Sequence, residues 1–338
     1  MMSKSGKTAL VISGGGAKGA FAVGVLKYIF SVYRNTGWFA ITGGTSTGAL
    51  ISPMAALMAA SDPLGSQALE TLLEIYTSVD TPDILKRKNI IKLVQLPDSL
   101  YKSDPLNKLL HGHFRQEWFK WLQNRKSPKC YVVYTNYKTG QKVIASPKDR
   151  GMKRERFIQA MLASASVPVI MEATVIDGDV CYDGGVRDLL PFGEAIDLGA
   201  ETIVPIFLDP EKFPESRSRL KRMDKVLLRT LDIMKDETLR NDYETAQLIN
   251  FGVKAKEEIL QIFANDPAAL EKVQKIFDKR EFGALFGPKK RLIKIITGLR
   301  PDGPLTEDSL TFDHTEMSRW VEWGEQKAKK ILKQSPFL

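Results

Sequence analysis

A buried strand that runs into a glycine-rich loop and then into an apolar helix occurs twice within the first sixty residues of this 338-residue chain. Strands are predicted over residues 8–12 and 39–42, and helices over residues 17–33 and 49–60. Alternation of strand, loop and helix is typical of α/β folds, in which crossover helices join parallel strands. The sequence therefore predicts an α/β fold with a mostly parallel central sheet flanked by helices.

The rest of the chain extends this pattern and then changes in character. Further elements are predicted as a strand pair (129–136 and 141–145), a helix (153–163), a hairpin (173–176 and 180–182), a helix (193–198) and a strand (202–208). Beyond residue 208 the chain is strongly charged, and a last strand (291–296) and a closing helix (316–332) are predicted. We therefore predict an α/β core over residues 8–208 and a mainly helical C-terminal extension over residues 209–338 that packs on it.

Charge and cysteine content limit the class of partner and the compartment. A formal charge of +9 favours an anionic partner, such as a lipid surface, nucleic acid or an acidic protein. No dense block of Lys and Arg with interleaved aromatic residues occurs, so we expect no nucleic-acid partner. Two lone cysteines, Cys130 and Cys181, favour a reducing, cytoplasmic compartment. The longest apolar stretch, residues 49–60, is too short to span a bilayer, so we expect membrane contact to be peripheral. The sequence does not indicate the oligomeric state.

The segment Gly44-Thr45-Ser46-Thr47-Gly48 is a G-x-S-x-G motif between a predicted strand and a predicted helix. In a nucleophile turn of this kind the serine occupies a tight bend that only glycine neighbours tolerate, and its hydroxyl stands above the sheet. The N–H groups that begin the following helix favour negative charge beside the serine. The alternative is an ordinary strand-to-helix turn in which Ser46 only caps the helix. The context favours Ser46 as a nucleophile.

A second glycine-rich segment opens the first helix and reads Gly14-Gly15-Gly16-Ala17-Lys18-Gly19. Consecutive glycines present backbone N–H groups without obstruction by side chains, as an oxyanion hole requires. The spacing also fits a dinucleotide-binding fingerprint, which needs an acidic residue about 20 residues further on. The first acidic residue of the chain is Asp62, which is too far along, and Gly-Lys-Ser/Thr does not occur at the spacing of a P-loop. Neither nucleotide-binding interpretation fits.

A serine nucleophile needs a base, and the sequence offers two candidates. His314 would complete the chain order Ser46, Asp183, His314 of an α/β-hydrolase triad, although that fold places more sheet before its nucleophile than 46 residues allow. Asp183 is the alternative, because Asp183-Gly184-Gly185 at a hairpin exit fixes a carboxylate and leaves it unobstructed. In isolation Asp-Gly-Gly is an ordinary turn, so it gains weight only in combination with the other two motifs.

These three motifs, in this order, resemble the patatin-like phospholipase family. The small-residue segment Ala163-Ser164-Ala165-Ser166-Val167-Pro168 is similar to the one that precedes the family's aspartate, and a weaker similarity runs from Phe312-Asp313 to Gly324. The resemblance covers roughly residues 8–208. One departure is Arg-Asp-Leu-Leu at residues 187–190, where many members have an asparagine before the proline; this leaves the shape of the pocket open.

The resemblance implies a Ser–Asp dyad that uses no histidine, metal or cofactor, with Ser46 as nucleophile and Asp183 as base. The oxyanion would be held by the backbone of Gly14, Gly15 and Gly16, and the motifs would be supported by Lys18, Gly19, Gly44, Gly48, Gly184 and Gly185. Because aspartate in water is a weak base, the dyad also requires partial desolvation of Asp183.

The implied activity is hydrolysis of a fatty acyl ester, in a phospholipid or another acyl lipid, through an acyl-enzyme. This is the reaction of a phospholipase A or a lysophospholipase. Two alternatives stay open: a thioesterase or acyltransferase that uses the same dyad, and a non-catalytic lipid-binding or scaffolding protein.

Regions around the dyad support further hypotheses. The helix over residues 49–60 is interpreted as the lining of an acyl pocket or simply as a core helix, and Lys18 as a ligand for lipid phosphate or a solvated side chain. The segment 215–260 is interpreted as a lid or as a membrane-facing helix, because its first part is amphipathic and basic. The basic residues are Arg217, Arg219, Lys221, Arg222, Lys225 and Arg229. His111 and His113 are too sparse for a metal site.

Overall fold

The computed structural model of the protein describes residues 7–34, 38–88, 98–212, 215, 223–279 and 292–334. The strands are β1 (Thr8–Ile12), β2 (Ile41–Thr45), β3 (Lys86–Arg87), β4 (Tyr101–Lys102), β5 (Lys129–Asn136), β6 (Gln141–Ala145), β7 (Thr174–Ile176), β8 (Asp179–Asp183), β9 (Thr202–Ile206) and β10 (Lys294–Ile295). The helices are α1 (Gly19–Tyr33), α2 (Thr47–Leu57), α3 (Leu64–Ser78), α4 (Thr81–Ile84), α5 (Asp104–His113), α6 (Gln116–Leu122), α7 (Arg154–Ala165), α8 (Phe192–Asp197), α9 (Met223–Ile262), α10 (Pro267–Phe277) and α11 (His314–Gln334).

One mixed sheet with the order β10-β9-β1-β2-β5-β8-β7 forms the centre of the molecule, and β6 also pairs with β5. The pairs from β10 to β5 along this order are parallel, while β6, β7 and β8 are added in antiparallel orientation. The parallel strands β1 and β2 are buried along their whole length, because helices cover both faces of the sheet. The predicted α/β fold with a mostly parallel sheet is confirmed.

The strands β2 and β8 meet end to end along one edge of β5. Thr45 at the end of β2 pairs with Val133, and Asp183 at the end of β8 pairs with the next residue, Tyr134. The opposite edge of β5 is occupied by β6 over the same residues, so β2 and β8 must share the remaining edge. Because β2 runs parallel to β5 and β8 runs antiparallel, their carboxyl ends face each other. Ser46 and Asp183 are thereby brought to one point of the sheet.

The second strand lies later in the sequence than predicted. The prediction of residues 39–42 is wrong, because β2 covers Ile41–Thr45 and includes two glycines. The ring of Tyr131 on β5 fills the space beside the strand: a Cβ atom on Gly43 would stand 2.0 Å from its Cζ atom. A glycine sequence that is typical of a loop therefore forms a strand, since a neighbouring ring supplies the volume that its side chains lack.

The C-terminal part of the chain adds both sheet and helix to this core. Residues 294–295 form β10 at the edge of the sheet, and α11 packs along α1. Five apolar residues of this part recur at helical spacing and predict a helix: Leu220, Met223, Leu227, Leu231 and Met234. The long helix α9 contains four of them, and Leu227 and Leu231 pack against the core. The predicted position Leu220 lies outside the described residues, as do residues 280–291. The boundary at residue 208 stays a prediction.

Cys130 and Cys181 are both buried as free thiols. Of the helices that the described ranges contain, none has the length and apolar character required to cross a bilayer.

Glycines allow α1 and α11 to approach closely. A Cβ atom on Gly24 would stand 1.8 Å from the carbonyl oxygen of Val321, and one on Gly324 would stand 2.0 Å from that of Phe21. The contact is therefore between two backbones, and neither side can yield by a change of rotamer.

We expect Gly24→Ala to lower the free energy of unfolding by about 1–3 kcal/mol or more, because the added methyl group forces the two helices apart. The measurement is urea denaturation followed by circular dichroism. Gly112→Ala is the matched control, since it lies in helix α5 with nothing within 4 Å of the added atom. The control should be stabilised by up to about 1 kcal/mol. Equal stability of the Gly24 variant and the wild type would contradict the close backbone contact.

Candidate active site

Ser46 occupies a strained turn between β2 and α2. Its backbone has φ 56° and ψ −125°, a left-handed conformation that costs a non-glycine residue about 1–3 kcal/mol. The flanking glycines are required by close packing: a Cβ atom on Gly44 would lie 2.6 Å from the carbonyl oxygen of Gly48, and one on Gly48 would lie 2.1 Å from that of Ile12. The tight strand-to-helix turn predicted from the motif is present.

The backbone of Ser46 is held by a serine of the small-residue segment. The Ser46 N–H donates to Oγ of Ser164 at 2.9 Å, and the Ser164 hydroxyl donates to the carbonyl oxygen of Val133 on β5. Ser164 is completely buried near the end of α7. It therefore ties the strained turn to the centre of the sheet. Sequence reasoning noticed the segment but gave no role to this side chain.

The carboxylate of Asp183 is fixed through one oxygen and left open at the other. Its Oδ1 atom accepts a hydrogen bond from the N–H of Gly185 at 2.7 Å, and its own N–H donates to the carbonyl oxygen of Ser166 at 2.8 Å. The side chain is fully buried. Within the described chain, Oδ2 has no hydrogen-bond partner. The cation that faces this oxygen is the ammonium of Lys235, whose Nζ lies 3.7 Å away.

The Asp-Gly-Gly turn packs directly on the serine turn. A Cβ atom on Gly184 would lie 2.9 Å from the Cγ2 atom of Thr45 and 2.3 Å from the carbonyl oxygen of Val133. The hydroxyl of Thr45 donates to the carbonyl oxygen of Asp188 at 2.8 Å. The residue before Ser46 is therefore in contact with the segment that follows Asp183.

The glycine-rich loop lies on the other side of Ser46. A Cβ atom on Gly14 would stand 2.9 Å from the Cβ atom of Ser46, and Gly16 has φ 57°, with the carbonyl group of Ser309 in the way of any side chain. In the part of the chain that the structure describes, the N–H groups of Gly14, Gly15 and Gly16 donate no hydrogen bond to the protein. Backbone donors thus remain available beside the serine.

The other residues of the glycine motif have structural contacts. The ammonium of Lys18 is buried and pairs with Oδ1 of Asp209 at 2.6 Å, so its charge is already neutralised. A Cβ atom on Gly19 would lie 2.6 Å from the hydroxyl oxygen of Tyr76, which shares a hydrogen bond of 2.7 Å with Thr47. Burial raises the pKa of Tyr76 to about 12, so this phenol stays neutral.

The sequence departure at residues 187–190 shapes the space between the glycine loop and the Asp-Gly-Gly turn. The Cδ1 atom of Leu189 stands 2.6 Å from a Cβ position on Gly14 and 2.7 Å from one on Gly185. Asp188 pairs with Lys142 at 2.6 Å. An apolar side chain therefore fills the position between the two turns.

An apolar pocket that is partly open to solvent has Ser46 in its wall. Its lining is almost entirely hydrocarbon and comes from the helices around the carboxyl end of β2. The lining includes Leu50 and Met54 from α2, so the predicted lining role of this helix agrees with its position. The same helix is also part of the core.

The three histidines have different surroundings. His314 is the first residue of α11 and pairs with Asp80: its Nδ1 lies 3.1 Å from Oδ1, and about half of its side chain is exposed. Its hydrogen bonds lower the pKa of Asp80. His113 lies in the wall of the apolar pocket, and the backbone carbonyl of His111 accepts from Arg154. The structure therefore pairs His314 with Asp80 and not with the aspartate that a triad would use.

Two residues of α9 complete the site, and sequence reasoning missed both. Asp232 and Lys235 line the pocket, and Nζ of Lys235 lies 3.7 Å from Oδ2 of Asp183. Burial raises the pKa of Asp232, while the charges of Lys18 and Lys235 oppose that rise. No motif connects α9 with the hairpin that ends at Asp183, so only the fold could reveal this contact.

The sequence matches a known protein family over most of the residues that form this site. The family model described as patatin-like phospholipase matches residues 10–196, which include Ser46 and Asp183. The chain belongs to the patatin-like phospholipase family.

Curated relatives are much longer than this chain. Patatin-like phospholipase domain-containing protein 6 of Mus musculus and that of Homo sapiens are each 26% identical to it over 199 residues, 59% of the chain. The matched region covers 13% of each of those proteins. Among solved structures, VipD from Legionella pneumophila aligns with 98% of this chain and 67% of its own, with a TM-score of 0.48 and 13% identity. The patatin-like match ends before α9, so Lys235 lies outside it.

We expect Ser164→Ala to lower the free energy of unfolding by about 1–3 kcal/mol, because it leaves the buried N–H of Ser46 and the carbonyl of Val133 without their partner. Ser318→Ala is the control, since that exposed hydroxyl only bonds back to its own helix. The control should change stability by less than about 0.5 kcal/mol. Similar urea midpoints for the two variants would show that Ser164 does not support the serine turn.

Proposed function

We propose that the protein is a serine lipid acyl hydrolase in which Ser46 attacks a fatty acyl ester and Asp183 takes the serine proton. The observation that carries the proposal is the end-to-end meeting of β2 and β8 on β5. It brings a strained serine to a buried carboxylate whose Oδ2 atom has no hydrogen-bond partner in the described chain. Membership of the patatin-like phospholipase family supports an ester of a fatty acid as the substrate.

The proposed reaction has two symmetric halves. As Oγ of Ser46 bonds to the ester carbonyl carbon, Oδ2 of Asp183 accepts the hydroxyl proton, and the N–H groups of Gly14, Gly15 and Gly16 stabilise the oxyanion. Collapse of this intermediate expels the alcohol, which takes the proton from Asp183. Water then attacks the acyl-enzyme and gives a proton to Asp183, which returns it to Ser46 as the fatty acid leaves. No metal or cofactor takes part in these steps.

The strain at Ser46 supports this role. The left-handed backbone conformation of Ser46 costs about 1–3 kcal/mol, and residues in such conformations cluster at functional sites. A serine that only capped α2 would not need this conformation, since N-cap residues normally have extended backbone angles. We therefore favour the nucleophile over the alternative of a plain cap.

The apolar pocket is proposed to hold the acyl chain. Each methylene group that leaves water contributes roughly 0.8 kcal/mol, so a hydrocarbon lining favours long chains over short ones. The thioesterase and acyltransferase alternatives use the same dyad with a different leaving group or acceptor. No contact in the site favours either, and a substrate panel separates them.

We further propose that the protein works at an anionic membrane surface, with the first part of α9 against the lipid. Ile233 and Met234 are 51% and 57% exposed and lie between the pocket residues Asp232 and Lys235. Apolar side chains at a pocket mouth, on a chain with a formal charge of +9, suit an interface with anionic lipid. Four basic residues predicted for this surface lie outside the described residues: Arg217, Arg219, Lys221 and Arg222.

We expect Ser46→Ala and Asp183→Asn each to lower kcat/KM by at least about 10³-fold, because each removes one half of the dyad. His314→Ala should keep activity close to that of the wild type. The assay is hydrolysis of p-nitrophenyl butyrate and of a panel of phospholipids, acylglycerols and acyl thioesters, with EDTA present. Loss in a folded histidine variant would contradict the dyad. A folded wild type that is silent on every substrate would favour a lipid-binding role.

For the membrane surface, we expect the double variant Ile233→Asp and Met234→Asp to bind vesicles containing anionic lipid more weakly than the wild type. Hydrolysis of soluble p-nitrophenyl butyrate should stay unchanged, because the dyad is untouched. Leu248→Asp is the control, since that residue is 55% exposed on the same helix but does not line the pocket. Vesicle sedimentation measures the binding. Equal binding by both variants, or wild-type binding that is indifferent to anionic lipid, would contradict this surface.

A further inference from the structure

Lys235 is the cation closest to the proposed base. Its Nζ atom lies 3.7 Å from Oδ2 of Asp183, and its side chain is 19% exposed. The stem of the lysine passes over the Asp-Gly-Gly turn, because its Cε atom stands 3.7 Å from a Cβ position on Gly185. Among the described residues, it is the one Lys or Arg within ion-pair distance of Asp183.

The buried carboxylate of Asp183 needs a positive charge nearby. Asp183 is fully buried, and its only side-chain hydrogen bond from a described residue comes from the N–H of Gly185 to Oδ1. An ionised carboxylate in an apolar interior is costly unless an opposite charge or further hydrogen bonds compensate it. The N–H of Gly185 satisfies one oxygen, and the ammonium of Lys235 faces the other. In the proposed reaction, the oxygen that faces Lys235 is also the one that accepts the proton of Ser46.

Other charged and titratable groups around this pair are less well placed to act on Oδ2. Lys18 is neutralised by Asp209 at 2.6 Å, and Asp232 lies one turn before Lys235 on α9. Further titratable or charged groups of the described residues that face the site are Arg229, Tyr137 and His113. None of these three is within ion-pair distance of Asp183.

The position of Lys235 is fixed by the half of α9 that follows it. Asp242, about two turns further on, accepts a hydrogen bond from the N–H of Leu190 at 3.3 Å. Tyr243 packs on the rings of Phe192 and Phe207. The helix is therefore anchored to the segment that follows the Asp-Gly-Gly turn. This packing holds the ammonium of Lys235 near Oδ2 of Asp183.

We propose that Lys235 is a positioning residue of the dyad, which holds Asp183 in its ionised form so that it can accept the proton of Ser46. This inference rests on the proposed hydrolase function and extends the site beyond the residues that the family model matches. Lys235 acts through Asp183 and does not itself touch the reacting atoms. Its contribution is to compensate the negative charge that the base carries in the apolar interior.

The direction in which removal of Lys235 should move the pH dependence of kcat/KM follows from the positive charge of its ammonium. In an enzyme whose base is a carboxylate, kcat/KM falls on the acid side as the base becomes protonated. Without the ammonium, the ionised form loses its compensating charge, so protonation occurs at higher pH. An opposite charge within about 4–6 Å shifts such an equilibrium by about 1–3 pH units.

The test is the pH dependence of kcat/KM for p-nitrophenyl butyrate in the wild type, Lys235→Met, Lys235→Arg and Lys254→Met. We expect the acid limb of Lys235→Met to move up by about 1 pH unit or more. Lys235→Arg should restore most of the wild-type limb, because it keeps the charge. Lys254→Met removes one charge from an exposed position of the same helix and should leave the limb in place. Circular dichroism and thermal unfolding at each pH confirm that the variants are folded.

The outcomes separate this inference from the function on which it rests. An active, folded Lys235→Met whose acid limb coincides with that of the wild type overturns the role of Lys235 alone. An equal shift in Lys254→Met also overturns it, because the effect would then come from net charge. A folded wild type that hydrolyses no ester overturns the proposed function, and the inference falls with it.

Discussion

The end-to-end meeting of β2 and β8 on one edge of β5 is the constraint on which the site depends. Consecutive residues of β5, Val133 and Tyr134, pair with the last residue of each strand. The register of the sheet therefore fixes the positions of Ser46 and Asp183 before any side chain is considered. A shift of either strand by one residue would turn its side chains to the other face and separate the two groups. The polar backbone groups at this junction are satisfied by Ser164 and Ser166 from the end of α7.

Close packing at glycines is the second requirement. The serine turn, the glycine-rich loop and the Asp-Gly-Gly turn approach one another so closely that a single methyl group on Gly14, Gly48 or Gly184 would collide with neighbouring atoms. These glycines leave backbone N–H groups uncovered beside Ser46 and let it adopt its strained conformation. The same packing excludes water from Asp183, so its surroundings are set by Gly185 and Lys235. Close packing at these glycines thus determines both the backbone conformation of Ser46 and the surroundings of the Asp183 carboxylate.

Much of the fold could be predicted from the sequence, for identifiable physical reasons. The bounds of β1, β5 and β6 agree with the prediction, because apolar runs bounded by turn residues specify strands well. The second strand was misplaced, since nothing local indicates that Tyr131 fills the space beside Gly43. The three motifs identified the residues that the fold then brings together. Lys235 and the pairing of His314 with Asp80 were not predictable, because each is a contact between distant segments that carries no local pattern. The roles of the dyad residues stay predictions.

The most direct test of the central claim is to trap the acyl-enzyme and locate it. Folded wild type is incubated with p-nitrophenyl butyrate or a fluorophosphonate, quenched in acid and digested, and the modified residue is identified by tandem mass spectrometry. We expect a single adduct on Ser46, formed far more slowly in Asp183→Asn at the same pH. An adduct on another residue, or an undiminished rate of labelling in Asp183→Asn, would contradict the Ser46–Asp183 dyad.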